Sequence, residues 1–179
     1  MNILVLIAAL ILCMACGWLE ANVFLTQPQA IHTAFHTDTV ERKTVFLTPE
    51  QRQQIEKISG VKGDSSIVSY YVARNASGVE GIAFFDRRMV RTLPVTYMAV
   101  VKPSGQIDHV DILSFDEPDD YFPPERWLAL YKNRQLDNDL SIGRGIPHIT
   151  GASLTSQAMN DGIRMILAIY QVAVKGTIS

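Results

Sequence analysis

Beyond residue 16 the chain has no cysteine, so the domain that follows cannot carry a disulfide of its own and must be held by packing. The two cysteines, Cys13 and Cys16, have C-x-x-C spacing, but both fall inside an apolar N-terminal run. A redox pair belongs at a helix start in a folded domain, so this pair is not read as one. Basic excess is also missing. Sixteen Lys and Arg stand against 18 Asp and Glu, a formal charge of −2, and this excludes a broad nucleic-acid surface. Length leaves no room for a second large domain: 179 residues, 47% apolar and 19% charged, suit one domain with its own core.

No basic residue precedes the apolar run Ile3–Leu19; only Met1 and Asn2 do. The run has the length of a signal-peptide core and is marginal for a membrane span. The reading is an export signal over residues 1–21, with cleavage after Ala21 and before Asn22. An uncleaved anchor is the alternative, and lipid attachment at Cys16 comes third because Cys13 stands where Leu is usual. The location implied is periplasmic or exported, free or anchored through this segment. Residues 22–179 then form a single domain.

Within that domain, Gln27–Phe35 has helical spacing with Ile31, Ala34 and Phe35 on one face. It places His32 and His36 at i, i+4, a spacing that can hold a metal, yet no third ligand is visible and a solvated pair is the reading. Thr44–Leu47 reads as a strand. Thr48-Pro49-Glu50-Gln51 is a capped helix start, and that helix stops at Gly60. Ser66–Ala73 and Gly81–Phe85 form a hairpin about Asn75-Ala76-Ser77-Gly78; Val95–Val101 and Ile107–Leu113 form a second about Pro103-Ser104-Gly105. The class is therefore α+β, an antiparallel sheet with one apolar face covered by helices. The principal cover is a long C-terminal helix, Ser153–Val174, with Leu154, Ala158, Met165, Ile166, Ile169 and Ala173 inward. Gln157, Asn160, Asp161, Arg164, Gln171 and Lys175 face outward.

That helix opens with Thr150-Gly151-Ala152-Ser153-Leu154-Thr155-Ser156. First-turn N–H groups have no partner inside a helix, and the dipole adds positive character, so such a start suits a phosphate. Gly151 and Ala152 keep bulk off the approach, and the hydroxyls can cap, bind or be linked to a phosphate. The plain alternative is a Ser/Thr N-cap. Upstream, Phe115, Tyr121, Phe122, Trp127 and Tyr131 can wall a planar ligand or form a satellite core under a loop. The acids Asp116, Glu117, Asp119 and Asp120 read as a solvated loop rather than a metal site.

Ile149–Thr155 resembles the Ser/Thr-Gly-Ala-Thr/Ser signature of the FMN-binding domain family, found in periplasm-facing flavin subunits of sodium-pumping NADH:quinone reductases and Rnf-type electron-transport complexes. The resemblance extends through Val90-Arg91-Thr92, the Lys102–Asp111 hairpin, Phe115-Asp116-Glu117-Pro118 and Arg126-Trp127-Leu128. It covers roughly the second half of the chain and looks closest to small, stand-alone members. It implies FMN esterified through its phosphate to Ser153, with the helix start as the phosphate site. Thr150, Gly151, Ala152, Leu154 and Thr155 would surround it, Glu117 would orient the ribityl chain or ring, and Arg91 would lie near the ring. Two departures from the pattern stand out: serine replaces the commoner threonine at the link, and Pro147 and His148 occupy the region of the usual upstream acid.

The expected function is an exported, FMN-carrying electron-transfer domain without substrate chemistry of its own. Its implied partners are a membrane or periplasmic redox protein and the flavin transferase that attaches the cofactor. The alternative is a flavin-free or non-covalent binding or assembly module of an exported or membrane-bound redox complex. A serine hydrolase ranks last, since Ser153 lacks a Gly-x-Ser-x-Gly elbow and an orienting acid.

Overall fold

The computed structural model describes residues 23–37 and 39–178, so the expected export segment lies outside the described residues. At its centre five strands form an antiparallel meander in which each pairs with its sequence neighbours. They are β1 (Val40–Phe46), β2 (Ile67–Asn75), β3 (Gly78–Met89), β4 (Pro94–Val101) and β5 (Ile107–Phe115). The helices are α1 (Gln27–Ala34), α2 (Pro49–Ser59), the short α3 (Glu125–Leu128) and α4 (Ser153–Ile169), which runs on into a π-helical turn, Tyr170–Val174. The α+β class and the long C-terminal helix are as expected. Among the described residues no helix is long and apolar enough to cross a membrane.

Local chemistry explains the punctuation. Thr48 Oγ1 accepts the Gln51 N–H while Gln51 Oε1 accepts the Thr48 N–H, and Pro49 occupies the first turn. Thr26 and Gln29 repeat the device at α1. Gly60 ends α2 at φ +73°, a left-handed value that a residue with a Cβ adopts only under strain. The α1 helix ends at Ala34, so His36 lies beyond it and its ring instead approaches Glu80 at 3.6 Å.

The sheet differs from the expectation in having two apolar faces. Tyr70, Val72, Ile82, Phe84, Tyr97 and Ala99 turn toward α4, while Ala73, Ala83, Met98, Val100 and Leu113 pack with Ala30 and Phe35 of α1. Central strands buried on both sides read as continuous apolar runs, which is what Val95–Val101 shows. The β5 edge is also covered. Phe24 N–H donates to Leu113 O at 2.8 Å, and Ile107 pairs with Asn133 and Arg134.

The α4 stripe is rotated from the expected one. Thr155, Met159, Ile163, Ile166, Leu167 and Tyr170 face the main core, Leu154 is 51% exposed, and Asn160 is buried. Asn160 tolerates this position because its Oδ1 accepts the Tyr131 hydroxyl at 3.2 Å. Arg164 is likewise half-buried: its Nε donates to Ser59 O at 2.7 Å and its Nη1 to Leu140 O at 2.7 Å. It thereby satisfies a free carbonyl at the end of α2 and suits that helix's dipole.

At Gly162 the helix lies directly against side chains of the sheet. A Cβ there would overlap the Tyr97 hydroxyl and come within 2.5 Å of Asp86 Oδ2 and 3.0 Å of Arg88 Nε. These three groups form one network, with Asp86 Oδ2 accepting from Tyr97 at 2.9 Å and from Arg88 at 2.7 Å. Burial and the neighbouring Asp86 push the Tyr97 phenol well above its ordinary pKa. Burial opposes the Arg88 charge, but Asp86 more than offsets that.

A helix-interior glycine normally costs about 1 kcal/mol relative to alanine, so propensity alone favours Gly162→Ala. Overpacking works the other way at about 1–3 kcal/mol, and here the obstructing groups are buried and mutually bonded. Gly162→Ala is therefore expected to lower the unfolding free energy by about 1–2 kcal/mol in urea titration. An unchanged or raised midpoint would show that the network yields.

Candidate functional site

Gly151 adopts φ +81°, with no atom near the place of its missing Cβ; the glycine is required by conformation, not by crowding. Ala152 is the N-cap residue of α4 and supplies no side-chain cap. The helix thus presents its first-turn N–H groups without the side-chain acceptor that closes α1 and α2.

The neighbouring hydroxyls divide into two sets. Ser156 Oγ donates to Ala152 O at 3.0 Å and accepts the Ile149 N–H at 2.8 Å, so it fixes the turn that leads into the helix. Thr155 Oγ1 donates to Tyr121 O at 2.9 Å and is fully buried. Ser153 and Thr150 are exposed, and neither hydroxyl has a partner among the described residues. Only Ser153 of these two faces the hollow at the helix start.

That hollow measures about 210 Å³ and is lined by Val90, Arg91, Tyr121, Gly151, Ala152 and Ser153, with Leu154 and Thr155 completing it. Arg91 lies with its guanidinium carbon 6.0 Å from the Tyr121 ring centre, within cation–π range. Structure thus brings together Ser153, Gly151, Ala152, Leu154, Thr155 and Arg91. Thr150 and Glu117 are not in the lining.

Glu117 sits behind the wall. Its Oε1 accepts the backbone N–H groups of Arg91, Thr92 and Leu93 at 3.0, 2.7 and 2.8 Å, and the side chain is 5% exposed. Three donors on one oxygen stabilise the ionised form, so the bonds from Leu93, Thr92 and Arg91 hold its pKa below the usual carboxylate range. The expectation that Glu117 belongs to a solvated acidic loop is corrected, and its bonded oxygen orients the Arg91 turn rather than a ligand. Asp119 and Asp120 are exposed as expected.

The aromatic wall is also corrected. Phe115, Trp127 and Tyr131 are buried in the main core, Phe122 is edge-on to Phe115 at 5.4 Å, and Trp127 is edge-on to Tyr131 at 5.2 Å. Trp127 Nε1 donates to Pro147 O at 2.7 Å. Of the five aromatics only Tyr121 reaches the hollow. Val90, quoted in the Val90-Arg91-Thr92 motif without a site role, also lines the hollow.

The molecule therefore belongs to the α+β class in which the uncapped start of a long helix, a free serine and an arginine meet at one small concavity. No protein-family model and no curated protein sequence matches the chain. Among solved structures it is similar to the crystal structure of Shewanella oneidensis NqrC, with TM-score 0.50 and 14% identity over 84% of this chain and 86% of that chain. At this identity the likeness establishes a shared fold.

The Glu117 contacts carry a definite pH dependence. A carboxylate whose pKa is lowered by folding contributes stability that is complete above its unfolded pKa of about 4.3 and is lost as pH falls through the folded value. Glu117→Gln should therefore lower the melting temperature at pH 7, and the gap from the parent should shrink as both are taken below about pH 4. A gap that stays constant into acid would mean that the charge contributes nothing.

Proposed function

We propose that the chain is an electron-transfer flavoprotein domain that carries FMN through a phosphoester to Ser153. The observation that supports this most is the division of hydroxyls: Thr155 and Ser156 are spent on carbonyls, while Ser153 is free, exposed and seated at an uncapped helix start. The residues present fit a phosphate there. Backbone N–H groups and the helix dipole favour its charge, and Arg91 adds a cation at the rim. The signature resemblance and the shared fold point the same way.

Forming the ester requires an activated flavin phosphate, such as a flavin dinucleotide. Ser153 Oγ would form the new bond to phosphorus and give up its proton to solvent, as the bond to the departing nucleotide phosphate breaks. FMN, once held, supplies one- and two-electron transfer. The chain's part is to seat the phosphate, hold the helix start still and place Arg91 and Tyr121 beside it. A hollow of about 210 Å³ is below the usual range of about 300–1,000 Å³ for enclosed small-molecule sites. Such a seat would hold the phosphate end, and the ring would then lie toward the surface, open to a membrane or periplasmic redox partner. Export through residues 1–21 is part of the proposal and rests on the apolar run alone.

A second reading, a flavin-free or non-covalent binding module, is favoured by one observation. The segment before the signature offers Pro147, whose carbonyl serves Trp127, where an attaching transferase would meet an acid in the family pattern.

The two readings separate on one experiment. Protein co-expressed with a flavin transferase is denatured and acid-precipitated, and the washed pellet is read for flavin fluorescence. Fluorescence should remain with the chain, vanish in Ser153→Ala and persist in Thr150→Ala. Flavin released to the supernatant would overturn the covalent link, and none in either fraction would leave the flavin-free module.

A further inference from the structure

A second, larger concavity lies away from the helix start, between α2, the connection at residues 61–66, the sheet and the C-terminal half of α4. Its volume is about 580 Å³, within the range of small-molecule sites. Met165, on its wall, is twelve residues beyond Ser153 and so about 18 Å along the helix. This is a separate place on the molecule.

Its lining has two characters. Leu47, Ile55 and Met165 form an apolar floor. At the mouth Ile67 is 53% exposed beside its cross-strand partner Phe46, 72% exposed. Around this floor stand five cations, Arg42, Arg52, Lys62, Arg87 and Arg88, on a chain whose net charge is −2. Among the described residues only Arg88 of these has an ion-pair partner, Asp86. Arg42 Nη2 donates to Ser69 Oγ at 3.2 Å.

Three acids also line the cleft. Asp86 is already engaged by Arg88 and Tyr97, while Glu56 and Asp64 are exposed, where water and salt screen them. Arg52 is different from the other cations. Its Nε is fully buried and has no hydrogen-bond partner among the described residues. A buried donor on a charged group is costly to leave unmet, and an anion is the acceptor that suits it. Concavity, apolar floor and an unmet guanidinium together define the ligand.

We propose that this cleft binds a small amphiphilic anion, a molecule with an apolar chain or ring and one carboxylate or phosphate, held through Arg52. The apolar part lies on Leu47, Ile55 and Met165, and the head group meets Arg52.

The test is a titration of the full-length chain, labelled at methionine methyls, with decyl phosphate kept below its micelle concentration. The Met165 signal, assigned with Met165→Leu, should shift saturably with one ligand per chain, while that of fully buried Met159 stays in place. Arg52→Met should weaken binding about tenfold, the loss of one charge-assisted contact. Arg52→Gln is the second variant should Arg52→Met fail to fold, and it too should weaken binding. Arg126→Met, an exposed arginine on α3 with the same charge change, should bind as the parent does. Decanol binding as tightly as decyl phosphate would overturn the role of charge, and inorganic phosphate binding as tightly would overturn that of the floor. No saturable shift at Met165 would overturn the site itself.

Discussion

Three consecutive backbone N–H groups converge on a single carboxylate oxygen of Glu117, and the geometry of the candidate site depends on it. The turn at residues 91–93 closes the β3–β4 hairpin, where the Val90 N–H donates to Leu93 O at 3.0 Å, and Glu117 takes up the turn's own three N–H groups. With the carboxylate beneath it the turn is tied to the segment that follows β5. That segment continues to Tyr121, whose carbonyl accepts the Thr155 hydroxyl from the first turn of α4. One series of contacts thus runs from the Arg91 turn through Glu117 and Tyr121 to the helix start. Arg91 itself is exposed, but each bond of the series is part-buried, where competition from water is reduced.

The same logic governs how α4 sits on the sheet. Apolar packing alone would tolerate small slides along the helix axis, because dispersion and burial are not directional. The polar groups on its inner side do not tolerate them. Asn160 must meet Tyr131, Arg164 must meet the carbonyls of Ser59 and Leu140, and Gly162 must lie over the Tyr97–Asp86–Arg88 network. A displaced helix would strand several buried donors and acceptors at once, at a cost of about 1–3 kcal/mol each. The position of Ser153 is therefore set by residues seven to eleven places down the helix, at a buried interface remote from the hollow itself.

What could be read from the sequence follows from the range of the forces concerned. Thr48-Pro49-Glu50-Gln51 and Asn75-Ala76-Ser77-Gly78 act within four residues, so the capped helix start and the hairpin were legible. Strand β3 proved longer than Gly81–Phe85 because Asp86–Met89 pair with Pro94–Tyr97 of β4, where Asp86 accepts from both Arg88 and Tyr97, a pairing that alternation does not reveal. Leu154 and Asn160 were assigned to the wrong sides because hydropathy ranks a residue by its own chemistry. Asn160 is inside because Tyr131, far along the chain, brings a hydroxyl to it. Glu117 shows the same limit: an acid among acids reads as solvated until three N–H groups from residues 91–93 are placed around it. The second apolar face of the sheet was hidden in the unbroken run of Val95–Val101, where alternation is lost because both sides are covered.

The size of the hollow bears on why a covalent link is the better reading. About 210 Å³ with a few peptide donors and one exposed arginine is a modest seat, and exposed charge pairs contribute at most about 1 kcal/mol. The aromatics that might have enclosed a ring are committed to the core, Phe115, Trp127 and Tyr131 most fully. Tyr121 alone, half-exposed and with the Arg91 guanidinium carbon 6.0 Å from its ring centre, offers limited area. A non-covalent cofactor in such a place would exchange readily, whereas a phosphoester on Ser153 makes retention independent of how much surface the protein covers. With the proposed link the site would have no need to grip the ring, which could lie at the surface, open to electron exchange with a second protein. The small hollow, the free serine and the buried aromatics are then consistent parts of one arrangement.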